Sequence, residues 1–109
     1  MANQVRLAEL RAKLGRSDED EANRVLQHVH PRGGRSQVVR QLVQAFTTDS
    51  AFMAFFQGSD YYRLRSALGE PIWKWREDHE LGVAGEEFEE LTDDVWPEIQ
   101  KALKRNRPA

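Results

Sequence analysis

The chain contains no cysteine, so it can form neither a disulfide framework nor a thiolate metal centre. A reducing cytosol fits that absence, and a cytoplasmic protein is expected. No apolar run approaches the roughly 18 residues needed to span a bilayer. The opening stretch MANQVRLAELRAKL is too polar for a signal peptide. Also missing are a Gly-rich phosphate loop followed by Lys and a His-Glu metal motif. His28 and His30 stand at i, i+2, which does not share a helical face, and His79 is remote in sequence. The pairs Glu86/Glu90 and Glu89/Asp93 have helical i, i+4 spacing, but nothing builds a cleft around them. These absences predict a protein that is not an enzyme and takes no cofactor and no metal.

What is present is a small chain with an uneven charge. Its 109 residues allow one domain of ordinary size, or a smaller module with an appended tail. A hydrophobic content of 39% suffices for a core with little surplus, so a homodimer sharing its core is expected. The formal net charge of −2 hides an asymmetry. No acid occurs between Ala22 and Thr48, while Arg24, Arg32, Arg35 and Arg40 all fall there, with His28 and His30. Residues 1–46 carry eight Arg or Lys against five acids; residues 77–98 carry ten acids and neither Arg nor Lys. The acidic part must face away from any polyanion or serve another partner.

Periodicity predicts a mainly α fold: a short N-terminal strand or helix, then five to seven short helices. Residues 3–8 fit two templates. Val5 and Leu7 alternate with Gln4 and Arg6 as in a strand, while Leu7, Leu10 and Leu14 have helical spacing towards a stop at Gly15. Ser17 before Asp18, Glu19 and Asp20 is an N-cap with acids in the first turn. Ala22, Val25, Leu26 and Val29 supply an apolar face, and Pro31 is expected to end that helix at His30. A flexible basic turn follows, with Ser36 as the next cap. Val38, Val39, Leu42, Val43 and Phe46 then form a stripe opposite Gln37, Arg40, Gln41 and Gln44.

Further along, Thr47 to Asp49 offer a cap for a short helix with Phe52, Met53, Phe55 and Phe56. Gly58-Ser59-Asp60 forms a turn and cap for a helix from Tyr61 that Gly69 is expected to end. Pro71 opens the next helix, with Ile72, Trp73 and Trp75, running towards Leu81. A loop is expected over 82–85. Phe88, Leu91, Val95, Ile99 and Leu103 mark one or two closing helices, with Pro97 in the first turn of the last. The aromatic group of Phe52, Phe55, Phe56, Tyr61, Tyr62, Trp73 and Trp75 reads most simply as core; the alternative is an exposed patch for a partner chain, or bases stacked on Tyr61, Tyr62 or Trp75. Two segments result: 1–48, and a helical extension 49–109 that packs on it or binds a partner.

Residues 31–43, a Pro/Gly turn, then Gly34-Arg35-Ser36, Val38-Val39-Arg40 and Leu42-Val43, resemble the second half of a ribbon-helix-helix DNA-binding domain. That is the family of Arc- and MetJ-like repressors and many plasmid regulators. The resemblance covers residues 3–46. It implies a two-chain ribbon in the major groove, with Gln4 and Arg6 facing the bases, since Arg pairs with guanine and Gln with adenine. It also implies phosphate contacts from Arg32, Arg35, Arg40 and the backbone N–H groups of Ser36 and Gln37. One departure stands out: residues 9–17 separate the ribbon from the helix, where the family leaves only a few.

Two functions compete. The first is a DNA-binding regulator of transcriptional or plasmid/phage type, a homodimer on double-stranded DNA. The second is a protein-interaction module or a small helical subunit of a larger assembly, including an acidic inhibitor of a nucleic-acid enzyme. In that reading Glu86, Glu87, Glu89 and Glu90 face a basic partner.

Overall fold

A computed structural model describes residues 18–81 and 88–105 of the chain. The alternatives for residues 3–8, the cap at Ser17 and the loop over 82–85 lie outside the described residues. Among the described residues there are five helices and no strand, so the mainly α class holds.

The first helix, α1, covers residues 18–26 and buries Ala22, Val25 and Leu26. It ends four residues before the position expected from Pro31. The last turn tightens to i→i−3 bonds, with His28 N–H donating to Val25 (3.1 Å) and Val29 N–H to Leu26 (3.0 Å). Val29 is itself buried, and its carbonyl accepts from Trp75 Nε1 at 3.0 Å. The buried indole N–H of Trp75 thereby has its acceptor in the segment that leaves α1.

Helix α2 spans Arg35–Thr48 and buries Val38, Leu42 and Phe46, with Val39 and Val43 half-buried beside them. Its N-cap is Gly34, not Ser36. Helix α3 spans Ser50–Phe55, and Asp49 caps it by accepting from Phe52 N–H at 2.9 Å. Helix α4 spans Tyr61–Asp78, capped by Asp60, which accepts from Arg63 N–H at 2.8 Å. Helix α5 spans Leu91–Arg105.

The expected stop at Gly69 is absent, and of the one or two closing helices expected after Phe88 there is one, α5. Helix α4 runs through Gly69 and Pro71, and α5 runs through Pro97. An interior Pro costs about 3 kcal/mol and an interior Gly about 1 kcal/mol. Against that, Leu64, Ala67, Leu68, Pro71, Ile72 and Trp75 form one unbroken buried stripe. Each large apolar side chain in it contributes roughly 1.5–3 kcal/mol, and Pro71 is itself in the core. Continuity therefore wins. The same reasoning covers α5, where Leu91, Val95, Ile99, Ala102 and Leu103 are buried on both sides of Pro97.

Residues from Ala22 to Leu103 form a single apolar cluster. Phe52 stands at its centre, with ring centroids 4.7 Å from both Phe46 and Phe56. Helix α5 lies against both α2 and α4. The aromatic group divides: Phe52, Phe56 and Trp75 are core, whereas Tyr61, Tyr62 and Trp73 are exposed.

A polar junction ties α1 to the cap of α3. Arg24 donates to Asp49 Oδ1 and Oδ2 (2.7 and 3.0 Å) and to Glu21 Oε1 (2.5 Å). The guanidinium holds the Asp49 carboxyl below the ordinary aspartate range, with help from the backbone N–H groups of Phe52 and Ala51 against the cost of burial. A depressed carboxylate stabilises the fold above its unfolded pKa, and that stabilisation is lost as pH falls through the folded value. Asn at position 49 still caps α3 but cannot pair as a charge. Asp49→Asn is therefore expected to lower stability by about 1 kcal/mol at neutral pH, given the partial exposure of the pair. The difference from wild type should shrink as pH falls through the unfolded aspartate value and vanish only below the lower folded one. Denaturant melts at several pH values check this, and a pH-independent difference contradicts it.

Candidate functional site

The basic turn is more rigid than its glycines suggest. Gln41, one turn and a half into α2, grips the Arg32 backbone twice: its Oε1 accepts from Arg32 N–H at 3.1 Å and its Nε2 donates to Arg32 C=O at 3.2 Å. Gln37 Oε1 accepts from Gly34 N–H at 3.1 Å. Gly33 has φ +81°, a left-handed conformation that favours glycine. A Cβ there would stand 1.4 Å from Gln37 Oε1. So Gln37 and Gln41, assigned to a solvent face by periodicity, hold the turn in place.

Arg35 is engaged by its own chain. Its Nη1 donates to the Glu89 carbonyl at 2.6 Å, and its Nη2 pairs with the Asp94 carboxylate in the first turn of α5. The side chains of Ser36, Gln37 and Arg40 are exposed on the adjacent face. Arg32 and Arg40 have no ion pair among the described residues. Between α2 and α5 runs an open groove of ≈ 610 Å³, floored by Val39 and Val43. Arg35 and Arg40 stand on it, and so do Asp94 and Glu98. Two cations and two anions share this surface, so it has no net field with which to gather a polyanion.

The remaining expected site residues separate. Gln4, Arg6, Glu86 and Glu87 lie outside the described residues. Glu89 and Glu90 are exposed. The acidic run is partly neutralised from within: Asp94 by Arg35, and Asp93 by Arg65 at 3.2 Å. Arg76 reaches over the run to donate to the Phe88 carbonyl at 3.2 Å.

Sequence distance misjudged the histidines. His79 lies beside His30, with ring centroids 6.1 Å apart and edge to face, and it also touches Trp75 at 5.1 Å. They stand at one end of a second open groove, ≈ 620 Å³, between α1 and α4, where Asp20, Lys74 and Asp78 also point. Among the described residues no cluster of three or more His, Cys, Asp or Glu is arranged to hold a metal. No alternation or spacing could have paired His30 with His79, because the contact arises from α1 lying along α4.

No family model matches the chain, and no curated protein or solved structure is detectably similar to it. The ribbon-helix-helix resemblance gains no support from these comparisons.

The turn geometry yields a direct test. Gly33→Ala is expected to cost at least about 1 kcal/mol, from left-handed strain plus loss of the Gln37–Gly34 bond. In a Gln37→Ala background the collision disappears and only the backbone cost persists, so the two changes should be sub-additive. Thermal denaturation of the four proteins in this cycle measures it; full additivity would mean that Gln37 does not hold the turn.

Proposed function

We propose that this chain is a non-enzymatic protein-interaction module, a small helical subunit that docks a protein partner in the groove between α2 and α5. The observation carrying this reading is the capture of Arg35 by Asp94 and the Glu89 carbonyl. It withdraws the central cation of the basic turn from external phosphate. It also sets Asp94 and Glu98 beside Arg40, where a nucleic-acid backbone would meet two carboxylates. An apolar floor with both signs of charge on its walls suits an amphipathic helix.

The DNA-binding reading now rests on Arg32 and Arg40, whose guanidinium groups are exposed and unpaired among the described residues. Two isolated cations give a weak attachment with a shallow salt slope. The acidic-inhibitor reading is weakened because Asp93 and Asp94 are matched by Arg65 and Arg35.

Arg40→Glu separates these readings without disturbing the core, since Arg40 is exposed. The wild-type protein is expected to give no salt-dependent shift of a random duplex at low ionic strength. It is expected to retain protein partners from a cell lysate that the Arg40→Glu variant fails to retain. A duplex shift that fades with salt and weakens in Arg40→Ala would overturn the proposal in favour of DNA.

A further inference from the structure

Helices α1 and α4 lie parallel. Arg63, in the first turn of α4, pairs with Asp18 at the start of α1 at 2.9 Å. His30, just past the end of α1, meets His79 at the end of α4. Both helices therefore bring their C-terminal ends to the histidine pair. The partial negative charge of unsatisfied carbonyls gathers at such ends and favours a cation.

The side chains add to that field. Asp20, Arg24, Lys74 and Asp78 are the other charged groups on the groove that the pair lines. Arg24 is bonded to Glu21 and Asp49, and Lys74 pairs with Glu70 at 3.3 Å. Each cation thus brings its own carboxylate, whereas Asp20 and Asp78 have no ion pair among the described residues. The balance left over is negative.

The two rings are also held at a set spacing. Val29, the residue before His30, gives its carbonyl to Trp75 Nε1 at 3.0 Å in the core. One turn beyond Trp75, the backbone N–H of His79 donates to the Trp75 carbonyl at 3.1 Å, and the two side-chain rings touch with centroids 5.1 Å apart. Trp75 therefore positions both histidines. Neither imidazole makes a hydrogen bond among the described residues, so their ring nitrogens are uncommitted.

We propose that His30 and His79 together bind a divalent transition-metal ion of the imidazole-preferring class, Zn²⁺, Cu²⁺ or Ni²⁺. Two imidazoles sharing a tetrahedral ion, with metal–nitrogen bonds of about 2.0–2.1 Å, hold their ring centroids about 5 Å apart. The 6.1 Å between these rings, edge to face, is within a side-chain rotation of that arrangement, and the exposed His30 ring is the one with room to turn. No third protein ligand is arranged beside them among the described residues. Water completes the shell, so the site is an open one that fastens the exit of α1 to the end of α4. The expectation of no metal rested on ligand spacing along the chain, which two donors on separate elements do not show. The site is distinct from the α2–α5 groove, so the inference does not depend on the function proposed for that groove.

Calorimetric titration of the untagged full chain with Zn²⁺ at neutral pH tests this, alongside thermal melts. One ion per chain is expected to bind, and the melting temperature should rise with Zn²⁺ concentration by mass action. Cu²⁺ should bind more tightly than Zn²⁺, and Mg²⁺ should not bind, as nitrogen donors dictate. His30→Gln and His79→Gln each turn a two-point grip into a single one and should weaken Zn²⁺ binding at least about tenfold. His30 is exposed, so its variant should keep the metal-free melting temperature of wild type. His28 does not line this groove, and His28→Gln should leave the affinity unchanged. Absence of Zn²⁺ binding overturns the proposal, and so does binding that both substitutions in the pair leave intact. An equal loss in His28→Gln also overturns it, since scattered surface histidines would then hold the ion. Mg²⁺ binding as strong as that of Zn²⁺ does the same, because it would assign the ion to carboxylates.

Discussion

The burial of α5 against both α2 and α4 is the constraint on which the rest of the structure depends. Five of its residues, Leu91, Val95, Ile99, Ala102 and Leu103, enter the common core. At roughly 1.5–3 kcal/mol for each large one, no surface interaction in the molecule competes with that seam. The helix cannot turn its apolar face elsewhere, so its first turn is delivered beside the start of α2. Asp94 then meets Arg35 because the core has already placed it there. The charge arrangement around the basic turn is a by-product of hydrophobic packing, and it changes what the turn can do.

A basic bend and an acid-rich tail are far apart in sequence and invite separate roles. In three dimensions they share one surface, at distances well inside the Debye length of about 10 Å at moderate salt. A phosphate approaching Arg35 must compete with a carboxylate that is already tethered and loses little entropy by staying. It also approaches Glu98 as it comes. The pair itself is worth only about 0–1 kcal/mol, being partly exposed. Yet the competitor faces both that pair and the repulsion from its neighbours. The local excess of arginine in the sequence therefore overstates the field outside the folded chain.

Much of the helix content was legible. The stripe from Val38 to Phe46 and the caps at Asp49 and Asp60 follow from spacing and from the chemistry of short polar side chains. Helix continuity was not legible, because Gly69, Pro71 and Pro97 are local stop signals that only tertiary burial overrules. That misreading had a consequence. Broken at Gly69, the segment looks like two short apolar helices whose aromatics all belong to a core. Kept continuous, its register carries Tyr62 and Trp73 to the outer face while Leu64, Leu68, Ile72 and Trp75 stay inside. The bonds of Gln37 and Gln41 to the turn were equally invisible, since nothing in a polar face tells which amides reach back to a backbone. So was the meeting of His30 with His79.

Adjacent residues of α5 pair with two different helices. Asp93 faces Arg65 on α4, and Asp94 faces Arg35 on α2. This raises the question of whether opening the Arg35–Asp94 pair would loosen α5. The magnitudes answer it. Drawing Arg35 away costs a pair worth at most about 1 kcal/mol. The carboxylate left behind sits in the first turn of a helix, where the dipole still favours it by a few tenths to about 1 kcal/mol. The buried seam beneath is several times stronger, and Leu91 and Val95 anchor it on either side of Asp93 and Asp94. Helix α5 therefore stays docked whether or not the clamp is closed.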